Sequence, residues 1–163
     1  MSGAIITGLF HVAIKTRDLD TTLRFYCDVM GITQAPRPDF SFPGAWLAVP
    51  TPTGSAIVHI YAGRPAMGVD GQAPLGTRAI DHLSLTASGY HAFITRLRAE
   101  GLEWREFLVP GTTLWQLFVH DPNGVMLELT FEGRAEEGPD PDMSEAWRYR
   151  AGENFFMPHR PSL

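Results

Sequence analysis

The sequence predicts an α+β fold made from one unit of a strand, a helix and further strands, used twice. Three observations predict it. The chain nearly repeats itself after about seventy residues, candidate metal ligands fall at matching points of the two copies, and each copy sets one helical pattern ahead of two or three strand patterns.

The first copy opens with Leu9-Phe10-His11-Val12-Ala13-Ile14 and the second with Ile80-Asp81-His82-Leu83-Ser84-Leu85, which places their histidines 71 residues apart. Both have the two-residue alternation of a strand. A helix follows each. In the first copy Asp18 or Asp20 caps the start, Leu19, Leu23, Tyr26 and Met30 recur at near-helical spacing, and Gly31 supplies the stop. In the second, Ser88 is the cap, Phe93 and Leu97 lie four apart, and Gly101 ends the helix seventy residues after Gly31. The apolar runs Ala45 to Val49 and Ala56 to Tyr61 flank Pro50-Thr51-Pro52-Thr53-Gly54 and read as two strands and a turn. Trp104 to Val109, Leu114 to His120 and Val125 to Phe131 are three more short strands, the last two joined by the strong turn Asp121-Pro122-Asn123-Gly124.

The organisation that follows is one domain over residues 1–131, with module one at about 8–62, a Gly- and Pro-rich linker at 63–78 and module two at about 79–131. Residues 132–163 form a C-terminal extension. Its acidic stretch from Glu136 to Asp142 leaves the core, but Trp147, Tyr149, Phe155 and Phe156 are too aromatic for a solvated arm, so it is expected to pack on its own domain or on a dimer partner.

Composition narrows the function. At 163 residues with 44% apolar and 19% charged content the chain can bury a real core. A net charge of −5 with no long Lys/Arg cluster excludes a polyanion-binding face, so nucleic acid is not an expected partner. No apolar run reaches the length of a membrane span and the start lacks a signal-peptide pattern, which predicts a cytoplasmic protein. The single Cys27 falls in the first helical pattern and reads as an inert buried thiol.

Strand periodicity puts His11, His59, His82 and Glu128 each in the middle of a strand face, with His59 and Glu128 separated by 69 residues. Any one of them alone reads as a hydrogen-bonded or solvated strand residue. Four in repeat register point to a shared site instead. Three neutral imidazoles and a carboxylate suit one divalent Zn, Ni, Fe, Co or Mn per chain, and a six-coordinate ion would keep two positions for a chelating substrate. His91, on the helix, and His159, in the tail, read as bystanders. His120 keeps a catalytic reading because it ends the strand beside that of Glu128. Trp46, Tyr61, Trp115 and Phe118 are the candidate lining of a small-molecule pocket, with Phe40 to Trp46 as edge packing or a covering wall. Arg37, Arg64, Arg78 and Arg105 are candidate clamps for an anionic substrate group.

The combination of His11-Val12-Ala13-Ile14 with Arg24-Phe25-Tyr26 and Met30-Gly31, then Asp81-His82, Leu117-Phe118-Val119, Asp121-Pro122-Asn123-Gly124 and Leu127-Glu128-Leu129 resembles the vicinal oxygen chelate superfamily. That group includes glyoxalase I, methylmalonyl-CoA epimerase, fosfomycin- and bleomycin-resistance proteins and extradiol dioxygenases. The resemblance covers residues 8 to 131. It implies two βαβββ modules forming a cupped, eight-stranded mixed sheet around a metal site, with His11, His59, His82 and Glu128 as ligands.

The same resemblance implies three chemistries. A glyoxalase I-like lyase or isomerase would polarise a carbonyl substrate and stabilise an enolate or enediolate, with Glu128 as ligand and base and His59 beside it. His59 departs from that pattern, since glyoxalase I has Glu there and the epimerase an amide. An Fe(II) extradiol dioxygenase would use His11, His82 and Glu128 as its triad, but those enzymes carry a tyrosine ten residues before the ligand Glu, where this chain has Phe118. A drug- or metabolite-binding resistance protein would do no chemistry and would lack the ligands present here. The repeat and the aromatic tail together suggest a homodimer.

Overall fold

The computed structural model describes residues 8–51, 54–77 and 79–156; Arg78 and His159 lie outside them. The chain divides into two compact units between Pro74 and Leu75, inside the linker segment.

In the first unit, strand β1 (His11–Lys15) leads into helix α1 (Leu19–Arg24), then β2 (Thr33–Ala35), β3 (Gly44–Thr51) and β4 (Gly54–Tyr61). Asp18 caps α1, its Oδ1 accepting from Thr21 N–H at 3.0 Å and its Oδ2 from the Thr21 hydroxyl at 2.7 Å. The Thr21 N–H, with its hydroxyl, holds the Asp18 carboxyl below the usual range. The helix widens into a π-helical turn over Phe25–Val29, where Met30 N–H donates to Phe25 C=O at 2.9 Å. Gly31, at φ +73°, then turns the chain out of the helix. The sheet order is β1-β4-β3-β2, with β1 parallel to β4 and the other pairs antiparallel.

The second unit repeats the plan. β5 (Leu83–Thr86) is followed by α2 (Tyr90–Ala99), β6 (Trp104–Leu108), β7 (Leu114–His120) and β8 (Met126–Glu132), in the order β5-β8-β7-β6 with β5 parallel to β8. The two βαβββ modules and the α+β class are those the sequence predicts, as two four-stranded mixed sheets. β2 escapes sequence reading because it is three residues long and mostly exposed.

Each sheet has two unlike faces. In the first unit Ile14, Leu47, Val58 and Ile60 are buried together with Phe25, Tyr26 and Val29 of the helical segment. In the second, Leu117, Val119, Leu127, Leu129 and Phe131 share the buried face with Tyr90, Ile94 and Leu97 of α2. The alternate residues, carrying His59 in one unit and Glu128 in the other, are left for the opposite faces.

The cap of α2 differs from the sequence expectation. Gly89, in the left-handed region, occupies the N-cap rather than Ser88, and the free N–H groups of Gly89 and Tyr90 are met by the carboxylate of Glu136 from the C-terminal extension.

Candidate functional site

The candidate ligands come as two pairs, one in each unit. In the first, His59 on β4 lies directly opposite Trp46 on β3 and Ala13 on β1, so His11, Trp46 and His59 share a sheet face. The His59 ring is sandwiched. It stacks on Trp46 at 4.6 Å with planes 6° apart, and on His11 at 4.1 Å with planes 14° apart. Burial, then the neighbouring His11 and Arg37, lower the pKa of His59 and favour the neutral ring. Tyr61 stands 6.3 Å from His59, and Phe42 meets Tyr61 edge-on at 5.3 Å. The first unit therefore offers an aromatic surface around an imidazole. Arg37 is taken up there, donating to Phe42 C=O at 2.9 Å with its guanidinium over Phe40 and Phe42.

In the second unit Ser84 and Phe118 lie directly opposite Glu128 on either side of β8. Glu128 is buried, and its Oε1 accepts from the Ser84 hydroxyl at 2.5 Å and the Thr130 hydroxyl at 2.9 Å. Its Oε2 points elsewhere, 3.4 Å from Nε2 of His82. The other ring nitrogen of His82, Nδ1, lies 2.7 Å from the Asp81 carboxylate. Asp81 in turn accepts a hydrogen bond from the Tyr149 hydroxyl at 3.2 Å.

These geometries test the fit to a metal ion. Two donors held about 2.0–2.2 Å from one ion, at coordination angles of about 90–109°, stand roughly 3.0–3.5 Å apart. The His82 Nε2 to Glu128 Oε2 separation falls in that window. The Asp81 carboxylate on Nδ1 selects the tautomer with its proton there and leaves Nε2 as a lone pair, the arrangement of a metal-ligating histidine. The His11–His59 pair is different. Imidazole lone pairs lie in the ring plane, so nearly parallel stacked rings send them along lines that do not meet. As the rings stand, one ion reaches one of the two, and exposed His11 is the freer to rotate. Among the described residues no group of three or more His, Cys, Asp or Glu is placed to hold a metal ion.

Residues 8–129 match the sequence profile of the Glyoxalase/Bleomycin resistance protein/Dioxygenase superfamily. The chain belongs to that superfamily. Relatives include Glyoxylase I 4 of Arabidopsis thaliana, 28% identical over 128 residues covering 76% of this chain and 70% of that protein. A probable lactoylglutathione lyase of Synechocystis is likewise 28% identical, over 74% of this chain and 92% of its own. The crystal structure of a putative glyoxalase family protein from Bacillus anthracis shares the fold, with a TM-score of 0.60, 18% identity and coverage of 80% and 98%.

The packing of the C-terminal extension on its own unit is one of the two outcomes the sequence allows, but its contact with the site, through Tyr149 on Asp81, was not foreseen. Glu106 on β6 is buried, and its carboxylate accepts from the Tyr90 hydroxyl at 2.7 Å, Trp104 Nε1 at 3.1 Å and Asp142 N–H at 2.8 Å. The chain then runs beside β6 and onto the Glu128 face, where Tyr149 stacks on Phe118 at 3.6 Å with planes 7° apart. Asp81 was readable as the residue before His82. Tyr149 had no local signal, because its partner lies 68 residues away.

Two of the sequence expectations change here. Trp115 alternates with Phe118 on β7 and packs edge-on against Tyr90 at 5.2 Å, on the helix face, so it does not line a pocket with Glu128. Phe118 lies on the Glu128 face but is 1% exposed beneath Tyr149. Arg105 is engaged with Trp104 C=O and lies under Phe155, which removes it as a free clamp.

His120, on the same face as Phe118, borders a cavity of about 230 Å³ lined also by Thr77, Ile80, Asp81, Met126 and Glu153. Its Nδ1 is buried with no hydrogen-bond partner among the described residues, and burial, then Arg105, push its pKa down to about 4. An unfolded histidine titrates near 6.5, so between pH 6.5 and 4 the unfolded chain takes the proton and the folded one does not. Stability of the metal-free protein should therefore be full above pH 6.5 and fall as the pH drops to 4, with about 1–2 kcal/mol due to His120 after solvent screening. Urea unfolding across this range should show the slope, and His120→Phe should flatten it; an unchanged slope would remove His120 as its source.

Proposed function

We propose that this chain is a divalent-metal-dependent enzyme of the glyoxalase I-like lyase or isomerase type, with His11, His59, His82 and Glu128 as the ligand set. The observation that carries this reading is the His82–Glu128 pair. Both outer atoms, Nδ1 and Oε1, are satisfied by hydrogen bonds, and both inner atoms, Nε2 and Oε2, stand at the donor spacing of a coordination sphere. When bound, a divalent ion there supplies Lewis acidity to a carbonyl oxygen and so acidifies the adjacent C–H. The chain's own part is proton transfer and orientation. Glu128 is the carboxylate placed to take a proton, and the Ser84 and Thr130 hydroxyls hold its Oε1 while Oε2 acts.

The aromatic face of Trp46 and Tyr61 beside His59 suits the apolar portion of a small substrate. The names of the relatives direct the first choice of substrate to lactoylglutathione chemistry. In this reading the chain works as a cytoplasmic homodimer, and exposed Leu9 and Phe10, beside His11, are apolar surface that such an assembly would cover.

A second reading, extradiol ring cleavage on Fe(II), keeps one observation in its favour. Tyr149 stacks on Phe118 and brings a phenol beside the position where those enzymes carry tyrosine.

The test is elemental analysis of protein purified without added metal, followed by a thioester assay for lactoylglutathione from glutathione and methylglyoxal. About one Ni, Zn, Co or Mn per chain with thioester formation is expected. Iron with catechol cleavage would move the assignment to the dioxygenase, and protein that neither carries nor takes up metal would overturn both.

A further inference from the structure

We propose that the C-terminal extension is a working part of the metal site, and that Tyr149 is the positioning residue that holds Asp81 against His82. This rests on the metal-site reading above. The geometry is a chain of three groups in one unit: the Tyr149 hydroxyl donates to Asp81 Oδ1 at 3.2 Å, and the same oxygen lies 2.7 Å from His82 Nδ1. The far nitrogen of that imidazole then faces Glu128.

The direction of each bond follows from the chemistry. Burial, then the Asp81 carboxylate, push the Tyr149 pKa up to about 12, so the phenol is protonated at neutral pH and donates. A carboxylate has no proton to give, so Asp81 is an acceptor for both. With Oδ1 shared between the two groups, the second hydrogen bond holds the carboxylate against the ring. The imidazole is fixed in tautomer and in rotation, which is what a partner of a metal-ligating histidine does.

Tyr149 is itself held at two points, and its segment at a third. Its N–H donates to Glu106 C=O at 2.9 Å, Glu106 N–H donates to Trp147 C=O at 2.8 Å, and its ring lies on Phe118. The extension is fastened upstream as well, by Glu136 on the start of α2 and by Asp142 on the Glu106 carboxylate. Its placement is over-determined for a surface tail.

The two modules differ at this point. His82 follows Asp81, whereas its repeat equivalent His11 follows the exposed Phe10. The oriented histidine is the one reached by the extension. Tyr149 lies twenty residues beyond the end of the superfamily match.

The experiment is titration of Co²⁺ into the metal-free full-length chain, read by visible absorbance, for wild type, Tyr149→Phe, Asp81→Asn and the double variant. Phenylalanine preserves the stack on Phe118, so the fold is expected to persist with its urea midpoint little changed. Tyr149→Phe should weaken Co²⁺ binding by about tenfold and shift the absorption band, and Asp81→Asn by about ten- to a hundredfold. In the Asp81→Asn background the tyrosine change should add little, because both act through one bond. Wild-type affinity in Tyr149→Phe, or an equal loss with and without Asp81, would overturn the positioning role while leaving the metal site in place. A wild-type chain that binds no Co²⁺ would overturn the metal-site reading and this inference with it.

Discussion

Glu128→Gln is expected to reduce turnover of a carbonyl substrate by about a hundredfold or more, and to weaken metal binding by at least as much, in a protein that still folds. The turnover estimate follows from general-base catalysis by a positioned carboxylate, which contributes about 10²–10⁴-fold. The metal estimate follows because partners of ligands alone are worth about 10–100-fold, and Glu128 is proposed as a ligand. The fold should survive because glutamine is nearly isosteric and its amide oxygen can still accept from Ser84 and Thr130, the two hydroxyls that hold Oε1. Metal content, thioester formation and the urea midpoint measured on one preparation separate the three effects. Undiminished activity in Glu128→Gln would remove this residue from the mechanism.

The sequence was most legible where its signals are local. The alternation around His11 and His82, the stops at Gly31 and Gly101 and the turn at Asp121 each depend on a few neighbouring residues, and together they give a strand, a helix and further strands in each copy; the full βαβββ count, with short β2, came from the resemblance. The faces of the strands were legible too, since alternation puts His82 with Ser84, and Glu128 with Thr130, without reference to anything distant. What failed depends on partners far along the chain. Ser88 is a sound cap by composition, yet Glu136 takes its place from 46 or 47 residues away. Trp115 and Phe118 are equally apolar, and only the position of α2 decides that one is core and the other faces Glu128. The tyrosine on Asp81 arrives from a segment with no periodic pattern. Its aromatic content signalled packing, but nothing in it pointed to a histidine 67 residues earlier.

His59→Ala decides whether four side chains or three share the ion. In the four-ligand reading both imidazoles of the first unit bind, so both His11→Ala and His59→Ala should lose most of their metal in dialysis, by about a hundredfold in affinity, with activity falling in step. The stacked geometry sets a condition on this outcome. Since the in-plane lone pairs of rings 14° apart do not converge, one ring must turn, and the burial of His59 against Trp46 leaves exposed His11 as the ring that moves. Removing Trp46 should then disturb His59 more than His11, because it is the indole that keeps the His59 ring in place. If instead His59→Ala retains a full complement of iron while His11→Ala empties the site, three ligands suffice. His59 would then be a proton-handling neighbour held neutral by burial, and the chemistry would be ring cleavage in place of proton abstraction next to a carbonyl.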